Sequence, residues 1–352
     1  MTGCGRAWGT DGAAGGPGVA PATLFRRSLL AGLLAVPGPA LGQVGSQAGS
    51  QAGGGFRIAV LEWEPQAGAD RLEPLRQALR GLGFVEGGNL RIDYHFADGR
   101  LDKADELARR IVAARPDIVV AFATPAAHAA RRATAEIPIV FGAADPIGTG
   151  LVTNLARPGG NLTGVSSMIA DLEAKRVDLL REALPGAARI AYLASSRDPA
   201  AVGFVAQARA AGARHGVRVE TAMVDSPDEV DARLAALVAG DTDAVIIQPL
   251  FTLSVFSAGL VAGSTLRHRV AAIGTYAPFA RAGGFMAFGP PLDFARRRAA
   301  HLVARILHGA RPGDLPVEQP TEFQLVINLG TARHLGLAVP PLLLARADEV
   351  IE

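Results

Sequence analysis

From residue 56 onward the chain alternates between two kinds of apolar pattern. Short runs with little polar alternation, bounded by turn residues, fall at 57–61, 90–96, 117–122, 138–141, 189–194, 217–224, 243–248, 270–274 and 285–288. Between most of them lie amphipathic stretches of helical length, at 71–82, 104–114, 126–135, 171–184, 200–215, 229–238, 253–268 and 294–308. Strands alternating with helices predict an α/β fold of parallel sheets, and runs apolar on both faces fit strands covered by helices on both sides. The alternation runs twice. Each half opens with a strand, then a helix, then a strand reached through a glycine turn: Gly81-Leu82-Gly83-Phe84 in the first, Gly212 to Gly216 in the second. Roughly 300 residues is also the size at which single cores give way to two. Two similar lobes around a cleft are expected, with ligand loops at the C-terminal strand ends aimed into it, as in a hinged protein that closes on its ligand.

The first 42 residues follow a different logic. Arg26-Arg27 precedes the apolar run 28–36, which is followed by Pro37-Gly38-Pro39 and the small-residue site Ala40-Leu41-Gly42. A charged start, a short apolar core and a small-x-small end form a removable export signal, and the core is too short for a membrane anchor. The arginine pair suggests the twin-arginine route, although Phe25 and Ala31 depart from its usual flanks. An ordinary secretory signal, or an apolar N-terminal helix that is retained, is the alternative. Residues 43–55 are a Gly/Ser/Gln tether with too little apolar content to fold. Cleavage near Gly42 would remove Arg6, Arg26, Arg27 and Asp11, turning 35 basic and 33 acidic residues into 32 of each. Such a balance lacks the basic bias of a nucleic-acid binder. The single cysteine, Cys4, lies in the segment expected to be lost, so no disulfide is expected.

Signals for catalysis are missing from the pattern. Gly81-Leu82-Gly83 follows a helix and precedes a strand, the reverse of a dinucleotide fingerprint. No phosphate-loop GxxxxGK[ST], GxSxG elbow or HExxH occurs, and His301 and His308, seven apart on one helix, make no metal site. No enzyme activity, metal or cofactor is expected.

Several stretches carry a family resemblance. They are GFVEGGNLRIDYHFADG (83–99), ATPAAHAA (123–130), IPIVFGAADPIGTGLVTNLARPGGNLTGVS (137–166), LEAKRVDLLREALPGAARIAYL (172–193) and LPVEQPTEFQLVINLGTARHLGLAVPPLLLARADEVIE (315–352). Together they resemble the extracytoplasmic substrate-binding proteins of ABC transporters in the tryptophan/tyrosine-type, TrpX-like family, across 56–352. The resemblance implies a periplasmic-binding-protein type I fold: two Rossmann-like lobes joined by three crossovers, here near 165–168, 286–291 and 316–324. Lobe 1 would then comprise 56–165 plus about 290–318, and lobe 2 166–289 plus about 319–352. It also implies a periplasmic monomer that captures a small polar solute, with an amino acid, an aromatic one included, as first guess, and hands it to ABC permease subunits. A ligand-sensing receptor on the same clamshell is the alternative. Phe288-Gly289 and Ser195-Ser196-Arg197 depart from the Tyr-Gly and Asn-Pro-rich segments of relatives.

Within that frame the strand ends supply candidate ligand residues. Thr124 reads as a helix N-cap with Pro125 at the first helical position, where free amides favour an anion such as a ligand carboxylate. Asp145, after a strand, either pairs with a ligand ammonium or caps its turn. Ser166 lies at the first crossover, facing the cleft or serving as a turn hydroxyl. Ser195, Gln248 and Tyr276 end strands of the second half; Gln248, closing a buried run, needs a polar partner, and Tyr276 offers an aromatic face. Trp63, just past the first strand, is a further aromatic candidate or a packing residue.

Overall fold

The computed structural model describes residues 55–352, so the expected export signal and nearly all of the tether lie outside the described residues. The first half contains β1 (Phe56–Glu62), α1 (Glu73–Gly81), β2 (Leu90–Phe96), α2 (Leu101–Ala113), β3 (Ile118–Phe122), α3 (Thr124–Ala133), β4 (Ile139–Ala143) and β5 (Leu162–Ser166). The second contains α4 (Ile169–Ala183), β6 (Arg189–Ser195), α5 (Ala201–Arg214), β7 (Arg218–Val224), α6 (Val230–Ala239), β8 (Ala244–Ile247), α7 (Val255–Arg267), β9 (Ala271–Gly274), α8 (Ala277–Arg281) and β10 (Met286–Gly289). There follow α9 (Phe294–Leu307), β11 (Gln324–Asn328), α10 (Leu329–Leu335), α11 (Pro341–Leu344) and β12 (Glu349–Ile351).

Two sheets result, ordered β2-β1-β3-β4-β5 and β12-β11-β10-β9-β8-β6-β7. The order of the first recurs in the second as β7-β6-β8-β9-β10, so the double alternation of the sequence is a structural repeat. Central strands β3 and β4 are buried along their whole length, as their unbroken apolar runs predict. Edge strand β7 instead alternates, with Arg218 and Met223 exposed and Val219 and Ala222 buried.

One expectation needs correction: the second sheet is not wholly parallel. β10 and β11 pair antiparallel, Met286 opposite Ile327 and Gly289 opposite Gln324. The reason is connectivity. After β10 the chain leaves to build α9, which packs on α1, β4 and β5, and then bridges back beside β5 through Val165 and Glu318. It therefore re-enters the second sheet from the strand-end side and runs the opposite way. The apolar patterning also did not single out α8, α10, α11, β11 or β12; α8, α11 and β12 span only five, four and three residues.

Close approach fixes the first sheet. A Cβ at Gly164 would lie 2.2 Å from the Phe141 carbonyl oxygen, so only glycine lets β5 sit against β4. Around the sheets, Leu75, Leu79, Phe141, Phe204 and Phe279 are fully buried, each such side chain contributing about 1.5–3 kcal/mol. Among the described residues no helix is long and apolar enough to cross a membrane.

Candidate functional site

The C-terminal ends of both sheets converge on one cavity. Glu62, Phe122, Thr124 and Ala143 line it from the ends of β1, β3 and β4; Asp198, Leu250 and Tyr276 line it from the loops after β6, β8 and β9. Pro290, Pro291 and Arg296, from the segment linking β10 to α9, close one side. The empty space between these walls, open mouth included, is about 610 Å3.

At the first sheet's edge of the cavity the geometry favours negative charge. Helix α3 begins at Thr124, so the amides of Thr124 and Ala126 have no partner within the helix, and Pro125 has none to satisfy. The N-cap position itself belongs to Ala123, not Thr124 as the sequence suggests. Ala123 adopts φ 76°, ψ 149°, a region that alanine enters only under strain. It is held there by its amide donating to the Gly142 carbonyl at 2.9 Å while its own carbonyl accepts from Ala127 at 3.0 Å. The Thr124 hydroxyl, freed from capping, accepts from the Ala144 amide at 3.3 Å and ties the helix start to the end of β4.

Arg296 adds positive charge to the same wall. Its guanidinium is buried 5.1 Å over the Phe122 ring, donates to the Leu292 carbonyl at 3.3 Å and reaches the Glu62 carboxylate at 3.4 Å. Among the described residues its Nε has no hydrogen-bond partner. Glu62 is shared with Arg71, 3.2 Å away. A buried Glu62 thus joins β1 to α9 across 234 residues of chain.

The opposing wall carries the contrary charge. Asp198 is buried; its Oδ1 accepts from the Ala200 amide at 3.0 Å and its Oδ2 from Gln248 Nε2 at 2.6 Å. Gln248, fully buried, accepts from the Ser195 amide at 2.5 Å, which meets the need of its amide for a partner. Among the described residues Asp198 makes no ion pair, and burial pushes its pKa up to about 6, opposed by those two hydrogen bonds. Tyr276 lines the cavity beside it; burial raises the phenol's pKa, opposed first by Ser167. Behind this wall Arg176, fully buried, donates to the Phe288 carbonyl at 3.0 Å and to Glu173 at 2.7 Å. That bond holds the chain just before Pro290 and Pro291.

Of the residues singled out from sequence, the structure places Thr124 and Tyr276 on the cavity wall, with Gln248 directly behind Asp198. Ser195 lies one shell further out, its hydroxyl accepting from the Arg197 amide at 3.2 Å. Ser166 accepts from the Met168 amide at 3.2 Å. Asp145 closes its own turn, accepting from the Gly148 amide at 2.8 Å. Pro125 borders a separate hollow with His128, Ser196 and Arg197. Trp63 is buried in the core under the first sheet and borders a second chamber. Asp198, Arg296 and Glu62 went unnoticed in the sequence; a carboxylate closing a buried strand (Glu62) and an acid opening the turn before a helix (Asp198) were the available signals. No group of three His, Cys, Asp or Glu side chains suited to a metal ion occurs among the described residues.

Comparisons with known proteins agree with this architecture. The chain is 27% identical over 262 residues to a tyrosine-binding protein of Clostridioides difficile strain R20291, covering 74% of this chain and 75% of that one. A conserved domain protein from Vibrio cholerae O1 biovar El Tor N16961 superposes with a TM-score of 0.77 at 29% identity, over 84% of this chain and 99% of that chain. The ABC domain of Streptococcus pneumoniae in complex with L-Trp gives 0.76 at 26% identity, over 84% and 100%. A family model described as ABC transporter substrate binding protein matches residues 64–351. With two repeated α/β lobes, a cleft at their strand ends and a match over nearly all of the described chain, this protein belongs to the ABC transporter substrate binding protein family.

Proposed function

We propose that the protein captures an α-amino acid, with an aromatic one as first choice, between its lobes and delivers it to the transmembrane subunits of an ABC importer. The carrying observation is Asp198: a buried carboxylate on the cavity wall with no cation beside it among the described residues. A ligand ammonium would supply that cation. Across the same cavity the α3 amides and Arg296 suit a carboxylate, so the two walls together match a zwitterion. Leu250, Phe122 and the Tyr276 ring provide apolar surface for a side chain. The names of two relatives, one tyrosine-binding and one holding L-Trp, support the aromatic choice.

The work is binding, not chemistry: a ligand touching both walls favours the closed state, and the closed surface is what the importer recognises. The protein acts as an exported monomer in the periplasm, its signal removed near Gly42. Calorimetric titration of L-Tyr, L-Trp, L-Phe, L-Ala and 3-phenylpropionate tests the reading. An aromatic amino acid should bind, 3-phenylpropionate, which lacks the ammonium, should not, and Asp198→Asn should weaken binding by about 10-fold or more, the scale of a lost charged hydrogen bond. Indifference of a bound amino acid to Asp198→Asn, or no response to any amino acid, would overturn it.

A further inference from the structure

Beside the cleft the two lobes touch directly. The segment after β8 lines the cleft with Pro249, Leu250 and Leu253 and then enters Ser254, the N-cap of α7. Leu250 and Leu253 pack in the same apolar cluster as Leu61, Trp63 and Ala97 of the first lobe, so this part of the second lobe is seated in the first. Arg197, from the second lobe, donates to the Gly99 carbonyl of the first at 3.4 Å. Ser254 itself rests on Gly68, in the helical turn Gln66–Leu72 between β1 and α1.

Position 68 demands glycine for room, not for its backbone. Its φ of −102° lies on the side that any residue adopts. A Cβ there would stand 3.0 Å from Ser254 Cβ and 3.1 Å from Ser254 Oγ, inside the roughly 3.5–4.0 Å at which carbon atoms pack best. It would also press on Arg71 Nη1. Neither neighbour yields easily. Arg71 is buried, its Nε 3.2 Å from Glu62 and 3.6 Å from Glu64, so one guanidinium is divided between two carboxylates. Ser254 is buried too, and is fixed by capping α7, where its hydroxyl accepts from the Ser257 amide at 3.1 Å.

Resting on capture between the lobes as proposed above, we infer that Gly68 is a positioning residue for the ligand: its bare Cα is the seat that Ser254 reaches only when the lobes close. Gly68 is not part of the cleft lining. It acts through Ser254 and the Pro249–Leu253 segment, whose side chains are. A ligand held between that segment and the first lobe draws Ser254 onto Gly68, and the closeness of the seat keeps the lobes together. A side chain at position 68 leaves the cleft walls of the open form intact and penalises the closed form, so a bound ligand is released faster. The contact with Arg71 lies within one lobe and is the same in both forms.

Two measurements on the full chain test this. In Gly68→Cys/Ser254→Cys, with Cys4→Ser, copper-phenanthroline oxidation without ligand should form a disulfide, because the two Cβ positions lie near the roughly 3.5–4.5 Å that a disulfide spans. X-ray scattering should then find the oxidised protein more compact than the reduced one. No crosslink, or the same scattering before and after, overturns the inference whatever the ligand. L-Tyr is the probe for the second measurement, by calorimetry and stopped-flow. Its affinity should fall about 5-fold in Gly68→Ala and about 50-fold or more in Gly68→Leu, the scale of overpacking. The loss should sit in the dissociation rate, with association changed by less than about 2-fold. Ser254→Gly keeps a tolerated N-cap and removes both Ser254 atoms that the new Cβ would meet. Added to Gly68→Ala, it should bring the affinity to within about 2-fold of Ser254→Gly alone. Unchanged affinity in Gly68→Leu, or no rescue by Ser254→Gly, also overturns the inference. If L-Tyr does not bind the wild type, the amino-acid reading fails, and the crosslink decides the contact by itself.

Discussion

Replacing Asp198 by Asn should change how stability depends on pH, in a direction fixed by the site. The carboxyl's pKa rises from 3.8 to about 6 because folding buries it, and among the described residues no cation pairs with it. Below the lower value it is protonated whether folded or unfolded, and its burial carries no ionic penalty. Between the two values the unfolded chain releases the proton while the folded one keeps it. Stability from this group is therefore lost as pH rises, and the loss is complete above about 6. Each tenfold in proton affinity is worth about 1.4 kcal/mol, which makes the full penalty about 3 kcal/mol. About 2 kcal/mol of it falls between pH 4.5 and 7.5. Asparagine cannot ionise. Its amide would face Gln248 Nε2 donor to donor, a cost that is the same at every pH. Urea unfolding of both proteins without ligand, from pH 4.5 to 7.5, isolates the ionic part as the change in their difference. The variant should gain about 2 kcal/mol on wild type across that range. A difference constant to within about 0.5 kcal/mol would refute the reasoning, since Asp198 would then not be an uncompensated buried acid.

Four other tests follow, two from the same geometry and two from the expected export signal. Ala123→Gly should stabilise the protein by about 1 kcal/mol in denaturant unfolding, because relief of strain at φ 76° outweighs glycine's entropic cost; destabilisation would show that Ala123 is not strained. Glu62→Gln should cost about 3–5 kcal/mol, because Arg71 and Arg296 lose the buried carboxylate they share; a drop below about 1 kcal/mol would mean the cluster is not ionised as drawn. Intact-mass measurement of the exported protein should find it beginning near Gln43. Arg26→Lys with Arg27→Lys should block export if the twin-arginine route is used, and an unchanged periplasmic yield would assign the general secretory route.

Much of the fold was legible because its signals are local. Buried central strands such as 118–122 show as unbroken apolar runs, and the helices between them repeat every three to four residues. The expected export signal is likewise read from neighbouring residues, and it lies outside the described residues. The lining of the candidate site was legible only in part. Thr124, Gln248 and Tyr276 could be found because strand ends are where such a fold puts ligands, but Asp198 looked like any acid capping a turn. Arg296 stands in a run with Arg297 and Arg298, and only packing turns one of the three inward while Arg297 stays exposed.

What the sequence determined alone was therefore the alternation of strands and helices, its repetition, and the chemistry available at each strand end. What the tertiary structure decided was charge pairing: that Arg296 meets Glu62 across 234 residues while, among the described residues, Asp198 meets no cation and Glu64 only a shared one. Periodicity follows from backbone geometry within one segment, whereas the cost of a buried charge depends on which distant groups the fold brings within a few ångströms.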